Sequence, residues 1–429
     1  MRVLHVITGL ASGGAERQLQ LILRHLPDHH TCEVATLTNP GTVAAALRAE
    51  GVVVHDLAMR GNCDLTVLPR LTRLIRSGRY RLVHTHLYRA GLYGRLAARL
   101  AGVRAVVATE HSLHAEVIEG RPVTAGVRAL YLLAERLGST TVAVSRQVAG
   151  TLDAWGVPPH RVHLLPNGVE AARYTLPTAS RAAVRQIVRT DLGLPQQAWV
   201  IGGVGRLVPG KRFEVLVDTL AELAALAGEH PALREPWLLL VGAGPEGEAL
   251  VRRAERLGVR GRMVCPGERE DVPELLVAMD VLAAPSTEET FGLTVLEGLA
   301  AGLPVRHSAC PALDELGPEA APEAARIPSD PVSYTAALCE LWSRRSVALP
   351  QPPAVAHYDI VRIAGQLGRL YDTLAAAPHV QGPQEPCERP RTPAEPWAPE
   401  AADTRDGHGE PHDRSAPAEP GLSRSSPHP

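Results

Sequence analysis

The sequence predicts an α/β protein made of two successive parallel sheets, each covered by helices on both faces, followed by a tail that lacks a core. Three observations carry this expectation. Short, nearly continuous apolar runs alternate with amphipathic stretches over residues 2–165 and again from residue 199, the pattern of strands buried on both sides. At 429 residues, 45% apolar and 21% charged, the chain has room for two or three full cores. Past Leu374 the aliphatic residues run out and 12 of the 37 prolines fall in 378–429, so this Pro-rich C-terminal segment is expected to be disordered.

In the first unit the runs 3–8, 32–37, 52–57, 80–84, 105–109 and 140–144 read as strands, with helices between them. The opening run is interrupted by His5 and followed by Gly9, Gly13 and Gly14, so it reads as a strand and loop rather than a signal peptide. Residues 166–195, with turn signals such as Asn167-Gly168 and a helix at 181–191, read as the connection between units. Strands follow at 199–204, 237–241, 262–265 and 281–284. Ile360, Ile363, Leu367, Leu370, Tyr371 and Leu374 recur at helical spacing and close the folded part with one helix.

Composition excludes several classes of function. No run approaches the roughly 20 apolar residues of a membrane span, and the chain is expected to be cytoplasmic. A net charge of −2 provides no general field for nucleic acid. Six scattered cysteines without a C-x-x-C pair argue against disulfides and zinc knuckles, and read as small buried residues. One local asymmetry stands out: between Arg60 and Arg104 ten arginines face a single acid, Asp64. Arg70, Arg73 and Arg76 step at helical spacing beside Leu68, Leu71, Leu74 and Ile75, and Arg95 and Arg99 repeat the arrangement beside Leu92, Leu96 and Leu100. Two helices are therefore expected to present basic faces, either merely solvated or docked peripherally on the anionic inner face of a membrane.

Four stretches carry chemistry. Gly9-Leu-Ala-Ser-Gly-Gly-Ala-Glu16 joins the first strand to the first helix, where glycines and helix N–H groups suit a phosphate or a sugar, or simply a tight βα turn. Gly202-Gly-Val-Gly-Arg-Leu-Val-Pro-Gly-Lys-Arg-Phe213 sets Arg206 and Lys211, the only lysine among 44 basic residues, on the loop after the first strand of the second unit. Two fixed cations there suit a departing diphosphate. Gly242-Ala-Gly244-Pro-Glu-Gly247 matches the dinucleotide fingerprint, but Pro245 occupies the turn and Cys265-Pro266-Gly267 stands where a ribose-binding carboxylate belongs, so a nicotinamide enzyme is rejected. Its glycines still permit a nucleotide to lie close to the backbone. Glu289 and Glu297, eight apart, flank Phe291-Gly292-Leu293 at the mouth of a helix, where free N–H groups and Glu289 point at one place.

These residues resemble a retaining glycosyltransferase of family 4 (group 1), with the two facing Rossmann-like domains of the GT-B fold, over about residues 1–375. The resemblance rests on E-x7-E at Glu289 and Glu297, Gly-Arg-x-x-x-x-Lys at Arg206 and Lys211, the Gly13-Gly14-Ala15-Glu16 loop, Val144-Ser145-Arg146, and Pro166-Asn167-Gly168-Val169. It implies an acceptor-side domain at 1–172, a nucleotide-sugar domain at 173–356 and a terminal helix at 357–377 crossing back to the first domain. By the same resemblance Arg206 and Lys211 hold the donor diphosphate, Glu289 meets the transferred sugar and Glu297 the ribose. Phe291, Gly292 and Leu293 supply backbone donors, Gly13, Gly14, Gly242 and Gly244 lie along the donor, and His111 meets sugar or acceptor. The implied partners are a nucleoside-diphosphate sugar and a hydroxyl acceptor, lipid-linked or not. Because no Asp-x-Asp stands at a strand end, neither metal nor cofactor is expected. One departure is Arg306-His307-Ser308-Ala309-Cys310-Pro311, where the family carries small residues and a Gly pair. His84 and His86 read as strand-end polar residues lining the acceptor side, without the carboxylate or Cys that completes a zinc set. With Glu289 the only carboxylate near the sugar, front-face attack is favoured over double displacement. A sugar-nucleotide epimerase on the same fold, or a non-catalytic sugar-nucleotide-binding subunit, are the alternatives.

Overall fold

Fifteen strands and sixteen helices alternate through the computed structural model, which describes residues 1–11, 13–61, 64–114, 117–119, 121–230, 234–343 and 348–376. The expected disorder of 378–429 lies outside the described residues. In the first domain β1 (Arg2–Ile7), β2 (Thr31–Thr36), β3 (Val54–Asp56), β4 (Leu82–His86) and β5 (Ala105–Glu110) are followed by a short antiparallel hairpin, β6 (Val117–Ile118) and β7 (Arg121–Pro122), then by β8 (Thr140–Ala143) and β9 (Val162–Leu164). Apart from the hairpin these form one parallel sheet in the order β3-β2-β1-β4-β5-β8-β9. The second sheet, also parallel, runs β12-β11-β10-β13-β14-β15, from β10 (Trp199–Val204), β11 (Pro236–Val241), β12 (Met263–Gly267), β13 (Val281–Ala284), β14 (Val305–His307) and β15 (Ala324–Arg326).

The helices supply the crossovers that parallel neighbours require. In the first domain they are α1 (Gly14–His25), α2 (Gly41–Ala49), α3 (Val67–Gly78), α4 (Tyr88–Leu100), α5 (Ala125–Glu135) and α6 (Arg146–Trp155). The connection contributes α7 (Ala171–Tyr174) and α8 (Thr178–Asp191). The second domain has α9 (Glu214–Glu229), α10 (Gly247–Arg256), α11 (Val272–Ala278), α12 (Leu293–Ala300), α13 (Pro311–Asp314), α14 (Pro331–Trp342) and α15 (Pro353–His357). The last helix, α16 (Ile360–Ala376), returns to the first sheet, where Ile360, Ile363, Leu367 and Tyr371 pack with Val3, Leu82 and Val107. Both sheets belong to one compact unit, Met1–Ala377.

Several sequence expectations change. The strand expected at 80–84 runs instead from Leu82 to His86, which carries two histidines into the sheet. Strands β9, β14 and β15 were not foreseen: each has three residues, and Val305-Arg-His307 reads as polar although all three residues are buried. The basic face expected on α4 is only partial, because Arg95 is 1% exposed, with its guanidinium 5.4 Å from the Tyr131 ring and 3.1 Å from Thr141 Oγ1. Only Cys310 of the four described cysteines is fully buried, and Cys265 is exposed.

One ionic knot anchors the connection to the second sheet. Asp280 accepts from Arg185 Nη2 and Arg189 Nη2, each at 2.8 Å, from Arg234 Nη1 at 3.1 Å and from the Val200 N–H at 2.8 Å. Arg189, 1% exposed, also donates to the carbonyls of Ala278, Gln196 and Ala198. Such a group is expensive to orphan, because Arg189 would lose its counter-charge where water cannot replace it, and the partly exposed Arg185 and Arg234 would lose theirs as well. Asp280→Ala is expected to destabilise the fold by about 3–5 kcal/mol. Urea unfolding checks this, and an unchanged midpoint would contradict it.

Candidate active site

In both sheets the strand order reverses at a defined place, between β1 and β4 and between β10 and β13. The loops leaving the carboxyl ends of those strands diverge and open a crevice. The sequence motifs sit on these loops: residues 9–16 follow β1, 205–213 follow β10 and 285–292 follow β13.

The second domain builds its side by strapping two loops together. A 3₁₀ turn, Pro209–Lys211, presents Lys211, and the Gly210 carbonyl accepts from Ser286 Oγ at 3.0 Å and the Thr287 N–H at 3.3 Å. That strap sets the two loops side by side, and Lys211 Nζ donates to Glu289 Oε1. Their side chains are 24% and 17% exposed, so the pair lies at an accessible but water-poor surface. Arg206, exposed on the same loop, acts electrostatically on Glu16 of the first domain.

Gly292 caps α12 with a φ of +100°, and a Cβ there would lie 2.5 Å from Cys310 Sγ. Only glycine fits this turn, which aims the first N–H groups of α12 past Phe291. Phe291 itself is buried, edge-on to Tyr358. Cys310 belongs to the stretch that departs from the family pattern, so that stretch backs the Glu289 loop directly. Glu297, one turn further along α12, borders a cavity of about 20 Å³ with Arg17, Gln18 and Tyr174. Burial raises its pKa, opposed by a hydrogen bond from Tyr174 and by the charges of Arg17 and Arg173.

Gly242 and Gly244 pack directly against the loop that carries Arg206. A Cβ on Gly242 would lie 1.9 Å from the Gly205 carbonyl oxygen, and one on Gly244 would lie 2.3 Å from that of Leu207. The backbone they admit is the Arg206 loop, which they hold through hydrogen bonds from the Gly205 N–H to the Val241 carbonyl and from the Leu207 N–H to the Ala243 carbonyl.

From the first domain, Gly13 caps α1, and the Glu16 carboxyl folds over it. Burial raises the Glu16 pKa, opposed by its own N–H and by Arg206. Gly14 faces the second domain: a Cβ there would lie 3.7 Å from Leu293 Cδ1. His111 follows β5 directly, and its carbonyl accepts from Thr290 Oγ1 at 2.6 Å. This bond joins the end of the first sheet to the residue after Glu289. His111 is 6% exposed and burial pushes its pKa down to about 4.

His84 and His86 do not line the acceptor side. Both are 0% exposed, together with His5. The parallel register sets His5 beside His84 and His86 beside Thr109, all on the face covered by α16. His86 bonds His5 at 3.0 Å and His111 at 3.2 Å, while His84 bonds Tyr371 and Thr109. His5, His84 and His86 each place a nitrogen within 4.8 Å of the others, a spacing a metal ion can bridge. Every nitrogen of the three except His5 Nε2 already has a hydrogen-bond partner, so hydrogen bonding accounts for the cluster. Among these residues, sequence reasoning gave no site role to His5, Thr290 and Tyr371. For His5 a signal existed, a polar residue inside an otherwise apolar strand.

Two family models match the chain: Glycosyltransferase Family 4 over residues 12–173 and Glycosyl transferases group 1 over residues 198–344. A D-inositol 3-phosphate glycosyltransferase of Salinispora arenicola is 35% identical over 247 residues, which are 53% of each chain. The UDP-Gal:alpha-D-GlcNAc-diphosphoundecaprenol alpha-1,3-galactosyltransferase of Escherichia coli is 29% identical over 243 residues, covering 56% of this chain and 61% of that one. The chain thus spans about half the length of the first relative. Among solved structures, Anabaena Alr3699/HepE in complex with UDP and glucose superposes with a TM-score of 0.73 at 21% identity, covering 87% of this chain and all of that one. UDP-GlcNAc 2-epimerase from Methanocaldococcus jannaschii shares the fold at a TM-score of 0.57 and 11% identity, with the same coverage.

The buried histidines make stability depend on pH. Burial lowers His5 to about 3 and His111 to about 4, and holds His84 and His86 well below 6.5. The unfolded chain therefore binds protons below pH 6.5 that the folded chain refuses, and stability falls as pH drops from 6.5 toward 4. Each ring contributes up to about 1.4 kcal/mol per pH unit, partly offset by Glu110 and Glu297, whose raised pKa values have the opposite sign. Urea unfolding at pH 7.5, 6.5 and 5.5 should show a small loss in the upper interval and a larger one in the lower. A gain in stability toward pH 5.5 would refute the neutral cluster.

Proposed function

The chain belongs to the family 4, group 1 glycosyltransferases, and from that premise we propose that it moves a sugar from a nucleoside diphosphate to a hydroxyl with retention of anomeric configuration. The observation that carries this reading is the Lys211–Glu289 pair at the mouth of α12. A sugar–diphosphate linkage has an anionic side and a hydroxyl-bearing side, and a cation touching a carboxylate offers one partner to each. Lys211 and Arg206 take the diphosphate, with the N–H groups at Phe291, Gly292 and Leu293. As the nucleotide leaves, negative charge grows on its oxygens, and fixed cations favour that state over the ground state. Glu289 takes sugar hydroxyls, and Glu297 takes the ribose while keeping Tyr174. The loop at Gly13 and Gly14 closes the donor from the first domain.

Double displacement needs a second carboxylate about 5 Å from the first across the sugar. Glu297 is enclosed one turn into α12 and Glu289 is held by Lys211, which favours front-face attack with the departing phosphate taking the acceptor proton. The division of labour follows: residues 1–172 receive the acceptor, 173–356 hold the donor and 357–377 tie them. The name of the Escherichia coli relative favours a UDP-sugar and a lipid-linked hydroxyl as first substrates to try.

An acceptor carried on a lipid requires the first domain to reach a membrane, and α3 is suited to it. Arg73 and Arg76 edge a groove of about 650 Å³ with Leu68 and Leu100, near the exposed Leu65. No helix among the described residues is long and apolar enough to cross a membrane. Attraction of about 1 kcal/mol per basic residue makes such docking reversible and salt-sensitive.

Release of UDP from UDP-galactose and UDP-glucose tests the transfer. Lys211→Ala should lower turnover by about 10²-fold or more. Glu289→Gln should reduce kcat, whereas Glu297→Gln should raise the donor KM. Activity should survive EDTA, because the fixed cations meet the charge a divalent ion would otherwise neutralise. Conversion of the sugar without nucleotide release favours an epimerase, and binding without turnover a non-catalytic subunit. In co-sedimentation, phosphatidylglycerol vesicles should retain the protein at low salt and lose it when Arg73 and Arg76 become Gln. Equal retention by phosphatidylcholine would refute the docking.

A further inference from the structure

His86 has an imidazole on each side: its Nε2 lies 3.0 Å from His5 Nδ1 and its Nδ1 lies 3.2 Å from His111 Nε2. A neutral imidazole carries one hydrogen, so it donates at one nitrogen and accepts at the other. His86 is neutral, because burial and its neighbouring rings hold its pKa far below 6.5. If His86 donates to His111, it must accept from His5, and all three rings carry hydrogen on Nδ1. If it donates to His5, all three carry it on Nε2. No mixed arrangement makes both bonds, so the three tautomers are one variable.

The two ends of the chain choose between these arrangements. His5 Nε2 and His111 Nδ1 are both buried without a partner. His5 Nε2 is sealed in the interior under α16, where Tyr371 packs against the His5 ring. His111 Nδ1 is buried as well, but the residue as a whole is 6% exposed against 0% for His5, and its carbonyl accepts from Thr290 Oγ1 at the end of the first sheet. A buried N–H without an acceptor is the rarer defect in folded proteins, and a bare acceptor is better tolerated. The sealed end therefore keeps the bare nitrogen. His84 stays out of the chain, because Tyr371 and Thr109 occupy both of its nitrogens.

We propose that His5 and His86 are positioning residues that hold His111 in the tautomer with hydrogen on Nδ1, so that His111 presents a neutral hydrogen-bond donor at the carboxyl edge of the first sheet. It is not a base there: its Nδ1 already carries the hydrogen and its Nε2 accepts from His86, so neither nitrogen has a free lone pair to take a proton. A donor at that edge suits a sugar hydroxyl or a phosphate oxygen. That last step rests on the glycosyltransferase reading, whereas the tautomer does not.

Nitrogen-15 NMR of histidine-labelled protein at pH 7.5 reads the tautomers directly. His5, His86 and His111 should each carry hydrogen on Nδ1. Hydrogen on Nε2 of His111, or tautomers that differ among the three rings, would overturn the proposal. His5→Phe removes the donor to His86 and should leave His86 and His111 each as a mixture, while His5→Asn, whose amide replaces Nδ1–H, should restore the single form. An unchanged His111 signature in His5→Phe would also overturn it. If His5→Phe does not fold, the wild-type and His5→Asn spectra still decide. With UDP-galactose, His5→Phe should lower kcat about tenfold at constant donor KM, and His5→Asn should recover it. Spectra as expected with unchanged kcat would count against the role of His111 in transfer and leave the coupled chain standing.

Discussion

The parallel register of each sheet is the constraint on which the rest depends. Because neighbouring strands point the same way, the loops that carry Gly13, Arg206 and Glu289 all leave carboxyl edges, and the strand order reverses beside each of them. Parallel strands buried on both faces also leave no water for polar side chains inside the sheet. The same register that aligns the loops sets His5 beside His84 and His86 beside Thr109. Those polar groups pair with one another, His5 Nε2 excepted, where water cannot reach them.

Much of the architecture was legible. The alternation of apolar runs with amphipathic stretches located both sheets, and the i, i+3, i+4 pattern from Ile360 to Leu374 located the terminal helix. Short strands were not legible: Val305-Arg-His307 is buried between two neighbours, but three residues with two charged or polar side chains carry no strand pattern. Lys211 was singled out as the lone lysine, and its ammonium lies against Glu289. Gly242 and Gly244 show the limit of motif reading. The glycines were read as letting a nucleotide lie close to the backbone, and the motif gave no sign that the backbone of residues 205–207 also packs against them. Arg95 shows another. Its helical position beside leucines suggested a basic face, and only the packing of α5 against α4 reveals that Tyr131 covers it.

The charges divide into two kinds. Arg189 and Asp280 are dry, fully committed and remote from the crevice, and they specify how the connection joins the second sheet. Lys211, Glu289 and Arg206 lie at the crevice, partly accessible, and can exchange partners when an anion arrives. His111 belongs to neither kind. It is neutral, and its orientation comes from rings behind it rather than from a counter-charge.

The central claim is that the Arg206–Lys211 loop and the mouth of α12 hold the diphosphate of a nucleotide. The position of the β-phosphate in a crystal structure of this protein grown with UDP tests it most directly. The account predicts phosphate oxygens within hydrogen-bond distance of Lys211 Nζ, of the Arg206 guanidinium and of an N–H at the start of α12. A diphosphate bound elsewhere, for instance along Arg73 and Arg76 of α3, with Lys211 still closed on Glu289, would contradict it.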